Sequence, residues 1–217
     1  MATLLIIIVG VASYLFGSIP SGVVIVKLVA GKDIRQVESG RTGGTNAFRA
    51  AGIWAGVGTT ILDGLKGAFA VWLAKALLPA DAWVHVLAGL AAILGHNYSI
   101  FILQRDEQGR LRLRGGAGGA PTVGAALALW PVSLLIIIPL GALVFYFIGY
   151  ASVTTMSVPL FAALIFAYRA WNGSSPWEYV WFGILAEMIL IWALRPNINR
   201  LSNGTERILG FRARHKK

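Results

Sequence analysis

The sequence predicts an all-α fold, a polytopic bundle of about seven transmembrane helices with the N-terminus outside. Of its 217 residues 57% are hydrophobic and only 13% are charged, and the mean hydropathy is +0.70. Soluble domains are about 45–50% apolar, so the composition is typical of a membrane protein. Long apolar stretches also alternate with short basic ones. We expect residues 1–217 to form a single integral-membrane domain.

The apolar segments set the number of expected spans, because a helix needs about 20 apolar residues to cross a bilayer. The first segment has no basic flank before it and is too long for the apolar part of a signal peptide, so we expect it to be retained as a span. The fourth is long enough for several helices, with breaks expected near Trp130-Pro131 and Tyr150-Ala151. The segments lie at residues 3–28, 54–79, 82–103, 117–168 and 176–194.

Three polar segments, at residues 30–52, 104–116 and 195–217, carry most of the Lys and Arg residues. Basic loops of membrane proteins face the cytoplasm, so we expect all three on that side. This bias and the attraction of anionic lipid headgroups account for the net charge of +10, and no nucleic-acid partner is expected.

A common side for these segments constrains the number of crossings, because the chain between two such segments must cross an even number of times. Two spans satisfy this between residues 54 and 103. Residues 117–168 and the last apolar segment, 176–194, must together also cross an even number of times. Residues 117–168 therefore cross an odd number of times, and we favour three short helices over one. Seven spans follow, while five spans with re-entrant halves are the alternative. The small residues of "AGVGTT", "AGLAAILG" and "GAALAL" predict close helix packing.

Two glycine-rich basic stretches are candidate phosphate sites: "ESGRTGGTNAFRAAG" (residues 38–52) and "RLRGGAGGAPT" (residues 112–122). Glycines allow successive backbone N–H groups to point into one concavity, and a helix N-terminus adds positive charge. Neither stretch has the pattern of a Walker loop or a Rossmann fingerprint. On composition alone, a flexible basic loop explains them equally well.

Ionisable residues within the apolar segments are further candidates, because charge at membrane depth is costly. Asp63 and Lys66 are three residues apart, so on a helix they share a face and are expected to pair. His96 is expected at the cytoplasmic end of its helix, and Glu187 receives no role. The sequence contains no cysteine and no metal-binding motif, so we expect no disulfide, no metal and no cofactor.

The order of motifs resembles that of the bacterial membrane acyltransferases that transfer an acyl chain from acyl phosphate to glycerol 3-phosphate. The resemblance covers nearly the whole chain. It runs through "GSIPSGVVIVKLVAGKDIR", "ESGRTGGTNAFRAAG", "LDGLKGAFAVWLA", "GHNYSIF", "GGAGGAPT", "YASVTT" and "NINRLSNGTE".

The resemblance implies a multi-pass protein of the bacterial cytoplasmic membrane, with its active site facing the cytoplasm and seven spans. The implied product is lysophosphatidic acid for phospholipid biosynthesis. The implied partners are acyl phosphate, glycerol 3-phosphate, membrane lipid and an upstream enzyme that forms acyl phosphate.

The resemblance also implies roles for individual residues. Catalytic roles fall on Ser39, Arg49, His96 and Asn197. Substrate or phosphate binding is expected of Gly40, Gly43, Thr45, Asn46, Arg114, Gly115, Gly116, Gly118 and Ser152. Structural roles are expected of Asp63, Lys66 and Glu206.

The chain departs from the family pattern at three places. The second lysine of the family's "KGGKG" is Ala117 here, and a histidine of its third motif is Leu194. A polar, hairpin-like stretch, "RDEQGRLRL", precedes the glycine cluster. Arg112 or Arg114 is expected to supply the missing charge. The alternative function is a catalytically altered paralogue that binds or transports a phosphorylated lipid or a small anion.

Acyl phosphate is a mixed anhydride whose leaving group is phosphate, so positioning and charge stabilisation are sufficient for acyl transfer. We expect Arg49 and the amides of Gly115–Gly119 to hold the leaving phosphate. Ser39 and the Thr45-Asn46 loop are expected to orient the acceptor, and His96 or a substrate phosphate to accept its proton. The acyl tail is expected in a groove between small-residue helices.

Overall fold

A computed structural model describes residues 2–105 and 108–209. About 74% of the structure is helical, which confirms the predicted helical fold. A two-stranded hairpin is added to it. In chain order the helices are α1 (Ala2–Ser18), α2 (Ser21–Ala30), α3 (Gly44–Ala51), α4 (Ile53–Leu77), α5 (Ala82–Asn97), α6 (Gly119–Leu129), α7 (Ser133–Ile148), α8 (Ala151–Trp171) and α9 (Glu178–Ser202).

Within the described residues, four helical segments are long and apolar enough to cross a membrane: 2–30, 53–77, 151–171 and 178–202. Three shorter apolar helices, α5, α6 and α7, accompany them. The prediction of three helices in the compound segment is confirmed, since α6, α7 and α8 are separated at Trp130-Pro131 and at Gly149-Tyr150.

Three boundaries differ from the prediction, and one of them is the end of α5, which lies at Asn97 and not at residue 103. The first apolar segment is divided at Ile19-Pro20, where a proline without an N–H group begins a new helix. The last helix does not end at residue 194 but continues to Ser202, so the third basic segment begins as a helix. Its polar residues Asn197 and Arg200 bind Glu206, which folds back from the chain beyond the helix.

The polar stretch before the glycine cluster forms an antiparallel hairpin of β1 (Leu103–Arg105) and β2 (Leu111–Leu113), with Leu103 opposite Leu113. The hairpin expected from "RDEQGRLRL" is thereby confirmed. The all-α fold class is corrected by these two strands. Residues 106 and 107, between the two strands in the sequence, lie outside the described residues.

The helices pack in pairs, α1 along α5, α4 along α6 and α8 along α9. Small residues allow the backbones of the paired helices to approach closely, as the sequence predicts. A Cβ atom added to Gly124 of α6 would lie 1.8 Å from Gly64 O of α4, and one added to Gly95 of α5 would lie 2.2 Å from Tyr14 O of α1. The hydrophobic core, with Phe166 and Phe182 fully buried, is formed by α4–α9, with Ile137 as the contribution of α7.

Substitution of Gly124 by alanine is expected to destabilise the protein, because the added methyl group meets the backbone of α4. Overpacking of this kind costs about 1–3 kcal/mol. Gly141→Ala is the matched control, since a Cβ there has no atom within 4 Å and alanine favours a helix. Thermal unfolding in detergent measures both. Equal melting temperatures for the two variants would contradict the close packing of α4 and α6.

Candidate active site

The three basic segments meet at one end of the bundle, around a cavity of about 960 Å³. The prediction that they share one side of the protein is thereby supported. The polar and charged residues that line this cavity include Glu38, Ser39, Arg41, Arg49, Asn97, Arg112, Arg114, Arg195, Asn197, Arg200, Glu206 and Arg207.

A second cavity of about 280 Å³ adjoins the first and extends between α4, α6 and α8. Residues of both cavities define what we call the neck: Ser39, Arg41, Arg49, Asn197 and Glu206. Beyond the neck the smaller cavity is lined by Gly43, Thr45, Asn46, Asp63, His96, Ala117, Gly118, Gly119, Ala120, Val123, Ser152, Val158 and Leu194, among others.

The loop that carries Ser39 is held by the side-chain amide nitrogen of Asn46, Nδ2. This buried nitrogen donates to the carbonyl oxygens of Ile34 (3.1 Å), Val37 (2.9 Å) and Arg41 (2.8 Å). The structure therefore places Asn46 as an organiser of the loop. Glu38, next to Ser39, has a φ of 52°, which is costly for a residue other than glycine and is commonest at functional sites.

Gly40 and Arg114 complete this loop. Gly40 has a φ of 64°, and a Cβ there would lie 3.1 Å from Nη2 of Arg114. Arg114 is exposed and donates to Ser39 O at 2.9 Å, so it links the second basic segment to the first. Glu38 also pairs with Arg207 across the large cavity.

Glu206 connects the third basic segment to the neck. Its Oε1 accepts from Asn197 Nδ2 (2.9 Å) and Ser152 Oγ (3.2 Å), and its Oε2 accepts from Arg200 Nε (2.8 Å). These contacts fix the ends of α8 and α9 relative to each other. They agree with the structural role expected of Glu206. Ser152 and Asn197 meet because both donate to the same oxygen of Glu206.

Arg41 is the residue of the neck that the sequence did not single out. Its Nη1 donates to Gly116 O (3.0 Å), and its Nη2 donates to Ala193 O (2.5 Å) and lies 3.5 Å from Asn197 Oδ1. Burial, and after it the charge of Arg114, lowers the pKa of Arg41 to about 10. At neutral pH the group stays cationic.

Arg49, on α3, is partly buried at the same neck. Burial lowers its pKa, while the charge of Glu206 opposes that change. Guanidinium groups remain protonated in proteins, so Arg41 and Arg49 place two positive charges where the cavities join.

Behind the neck lies a buried cluster of charged groups in α4 and α5. Lys66 Nζ is 2.8 Å from Asp63 Oδ1, which confirms the predicted pair, and it donates to Ile19 O at 2.9 Å. His96 Nδ1 lies 3.6 Å from the same Asp63 oxygen, a contact that spacing in the sequence could not predict. Asp63 therefore faces a lysine and a histidine at once.

The glycine cluster packs directly on His96. Gly116 N donates to His96 O at 2.9 Å, and a Cβ on Gly116 would lie 1.9 Å from His96 Nε2. A Cβ on Gly115 would lie 2.0 Å from His96 O, and Gly118 has a φ of 92°. These contacts require glycine and hold the loop against the small cavity.

Two helices begin at the small cavity, α3 at Gly44 and α6 at Gly119. The first N–H groups of a helix have no acceptor within it, and they favour anions together with the helix dipole. Ala117 and Leu194 lie in the same cavity and bring no charge. The small cavity is therefore suited to an anionic group at its neck and an apolar group beyond it, beside Val123 and Val158.

Fold and cavities together define a class: a helical membrane protein with a cation-lined site for phosphorylated ligands at one end of an apolar bundle. The family model described as glycerol-3-phosphate acyltransferase matches residues 7–204, and the chain belongs to this family. It is similar to the glycerol-3-phosphate acyltransferase of Gloeobacter violaceus, with 36% identity over 94% of this chain and 95% of that one. Glycerol-3-phosphate acyltransferase 2 of Moorella thermoacetica is 38% identical, over 94% and 97%.

Solved structures agree. The crystal structure of PlsY, an integral membrane glycerol 3-phosphate acyltransferase, in its glycerol 3-phosphate form superposes with a TM-score of 0.80 and 33% identity, over 94% of this chain and 96% of that one. The lysophosphatidic acid form of the same protein gives a TM-score of 0.78 at 32% identity, over 94% and 95%.

Proposed function

We propose that this chain transfers an acyl group from acyl phosphate to glycerol 3-phosphate and releases lysophosphatidic acid and inorganic phosphate. The observation that carries the proposal is the neck, where two guanidinium groups lie between a large polar cavity and a small, partly apolar one. Two helix N-termini, those of α3 and α6, lie in the small cavity beyond the neck. Two phosphorylated substrates can thereby meet with an acyl chain directed into the bundle. Relatives that bind glycerol 3-phosphate and lysophosphatidic acid support this assignment.

In the proposed reaction the hydroxyl oxygen of glycerol 3-phosphate attacks the acyl carbonyl carbon, and the bond from that carbon to the phosphate oxygen breaks. Arg49 and the amides of Gly115 and Gly118 stabilise the leaving phosphate. The amide of Gly116, for which phosphate binding was expected, instead donates to His96 O and positions the loop. The proton of the hydroxyl passes to His96 or to a substrate phosphate. Asp63 orients His96, since its carboxylate faces Nδ1.

The acceptor occupies the large cavity, where the exposed cation of Arg195 adds positive potential. Ser39 and Asn197 orient it at the neck. Gly43, Thr45 and Ser152 form the polar wall of the small cavity beyond the neck, and Gly40 allows the turn that follows Ser39. Glu206, Asp63, Lys66 and Asn46 act as positioning residues, because their side chains contact other protein groups in the structure.

A comparison of three acyl donors tests the proposal. Purified protein is incubated with labelled glycerol 3-phosphate and either acyl phosphate, acyl carrier protein thioester or acyl coenzyme A. We expect lysophosphatidic acid from acyl phosphate alone. Binding of glycerol 3-phosphate without any product, together with its flux into vesicles, would instead establish the alternative of a binding or transport paralogue.

We propose further that the chain crosses the bacterial cytoplasmic membrane seven times, with its N-terminus outside and its cavities open to the cytoplasm. Ser99 Oγ donates to Ser18 O, so α1 ends where α5 ends. At the far end of the bundle Lys75 Nζ donates to Ala128 O, so α4 and α6 also end together. Seven alternating crossings by α1 and α4–α9 satisfy these contacts. An upstream enzyme that forms acyl phosphate would supply the donor from the cytoplasm or the bilayer.

The absence of cysteine from the sequence allows a direct test of this topology. Single cysteines at Ser174 and at Asn203 are compared in intact spheroplasts with a maleimide that cannot cross membranes. We expect labelling at residue 174 from outside and at residue 203 only after permeabilisation. Labelling of both residues from the same side would contradict seven crossings, because α9 alone separates them.

A further inference from the structure

Arg41 lies between the two positions at which the chain departs from the family pattern. Its Nη1 binds the carbonyl of Gly116, next to Ala117, and its Nη2 binds the carbonyl of Ala193, next to Leu194. Both uncharged residues lie on the wall of the small cavity together with Arg41. The guanidinium group therefore lies beside both positions at which the lysine and the histidine of the family pattern are missing.

Arg41 has hydrogen-bonding capacity left for a ligand. A guanidinium group has five N–H donors. One N–H of Nη1 binds Gly116 O, and Nη2 is directed to Ala193 O and Asn197 Oδ1. In the part of the chain that the structure describes, Nε and the second N–H of Nη1 have no acceptor. Because Arg41 lines both cavities, these donors are available at the neck.

Arg112 and Arg114, the cations expected to replace the missing lysine, are less well positioned to bind an anion at the neck. Arg114 is exposed and donates to Ser39 O, outside the small cavity. Arg112 lies on β2 and lines only the large cavity of the two. A cation at the partly buried neck acts through a lower dielectric than one at the exposed rim, so Arg41 has the stronger effect on a bound anion.

Building on the acyl-transfer function proposed above, we propose that Arg41 binds a substrate phosphoryl group at the neck and replaces the cation absent at Ala117. The phosphoryl group belongs to acyl phosphate or to glycerol 3-phosphate, and the two share the same chemistry. In this role Arg41 contacts substrate directly. It also fixes the glycine loop to α9 through its carbonyl contacts.

Relocation of the positive charge tests the proposal. We expect Arg41→Ala to lower kcat/KM by about 10²-fold, as for loss of a charge-stabilising donor. The double variant Arg41→Ala, Ala117→Lys is expected to have a kcat/KM at least about tenfold higher than that of Arg41→Ala, because residue 117 lines the same cavity. The KM for acyl phosphate and the KM for glycerol 3-phosphate are both measured in Arg41→Ala. The substrate whose KM rises more is the one whose phosphoryl group Arg41 binds.

Binding of inorganic phosphate, measured as a rise in the melting temperature, gives a readout that does not depend on turnover. We expect the wild-type protein and the double variant to bind phosphate, and Arg41→Ala to bind it weakly. The matched control Arg35→Ala removes an exposed cation of the same segment that pairs with Asp33, and it should bind normally.

Unchanged phosphate binding and turnover in Arg41→Ala would overturn the proposal. A loss of activity that lysine at residue 117 does not restore, with unaltered phosphate binding, would assign Arg41 a purely structural role and would overturn it equally. If the wild-type protein makes no lysophosphatidic acid yet needs Arg41 to bind phosphate, the proposed function fails and the role of Arg41 stands.

Discussion

Arg49→Ala is expected to lower kcat/KM for acyl transfer by about 10²–10³-fold, equivalent to about 2.7–4 kcal/mol of transition-state stabilisation. Arg49 is the α3 cation at the neck, and its partial burial strengthens its interaction with a leaving phosphate. Initial rates over a range of acyl phosphate concentrations measure the effect.

The control for this prediction is Lys32→Ala, which removes an exposed cation from the same basic segment without altering the cavities. It should retain wild-type kinetics. The same decrease in both variants would mean that overall positive charge, and not the position of Arg49, supports the reaction.

Asp63→Ala is expected to destabilise the protein and to abolish its activity. Removal of the carboxylate leaves Lys66 buried without its partner, and loss of one member of a buried pair costs about 3–5 kcal/mol. His96 loses the group that faces Nδ1 at the same time. Thermal unfolding and turnover are measured on the same preparation.

A double variant separates these two effects. Replacement of a whole buried pair by apolar residues is often neutral or stabilising, so Asp63→Leu, Lys66→Met should regain most of the stability. It should stay inactive, because His96 still lacks its carboxylate. Full activity in the stable double variant would show that Asp63 serves the fold alone.

Much of the fold could be predicted from the sequence, because the signals are local. The apolar segments predict the positions of the long helices, and Trp130-Pro131 marks the break between α6 and α7. The i,i+3 spacing of Asp63 and Lys66 predicts their pair. The extension of α9 to Ser202 was missed because its polar residues are stabilised by Glu206, which lies beyond the helix.

Most of the motif positions that the resemblance implies converge at the two cavities, and their roles there stay predictions. The contacts within the site depend on tertiary packing. Arg41 reaches Gly116 and Ala193, which are 75 and 152 residues away, and Asp63 meets His96 across two helices. One available signal was that Arg41 is the first of the two arginines in the 38–52 stretch and lies between Ser39 and Thr45.

The fate of the bridging oxygen tests the central claim most directly. Acyl phosphate with ¹⁸O between carbon and phosphorus is incubated with glycerol 3-phosphate and the purified protein. Attack at the acyl carbon predicts equal amounts of lysophosphatidic acid and inorganic phosphate, with the label entirely in the phosphate. Label in free fatty acid, or no lysophosphatidic acid above the level of Arg49→Ala, would contradict acyl transfer at this site.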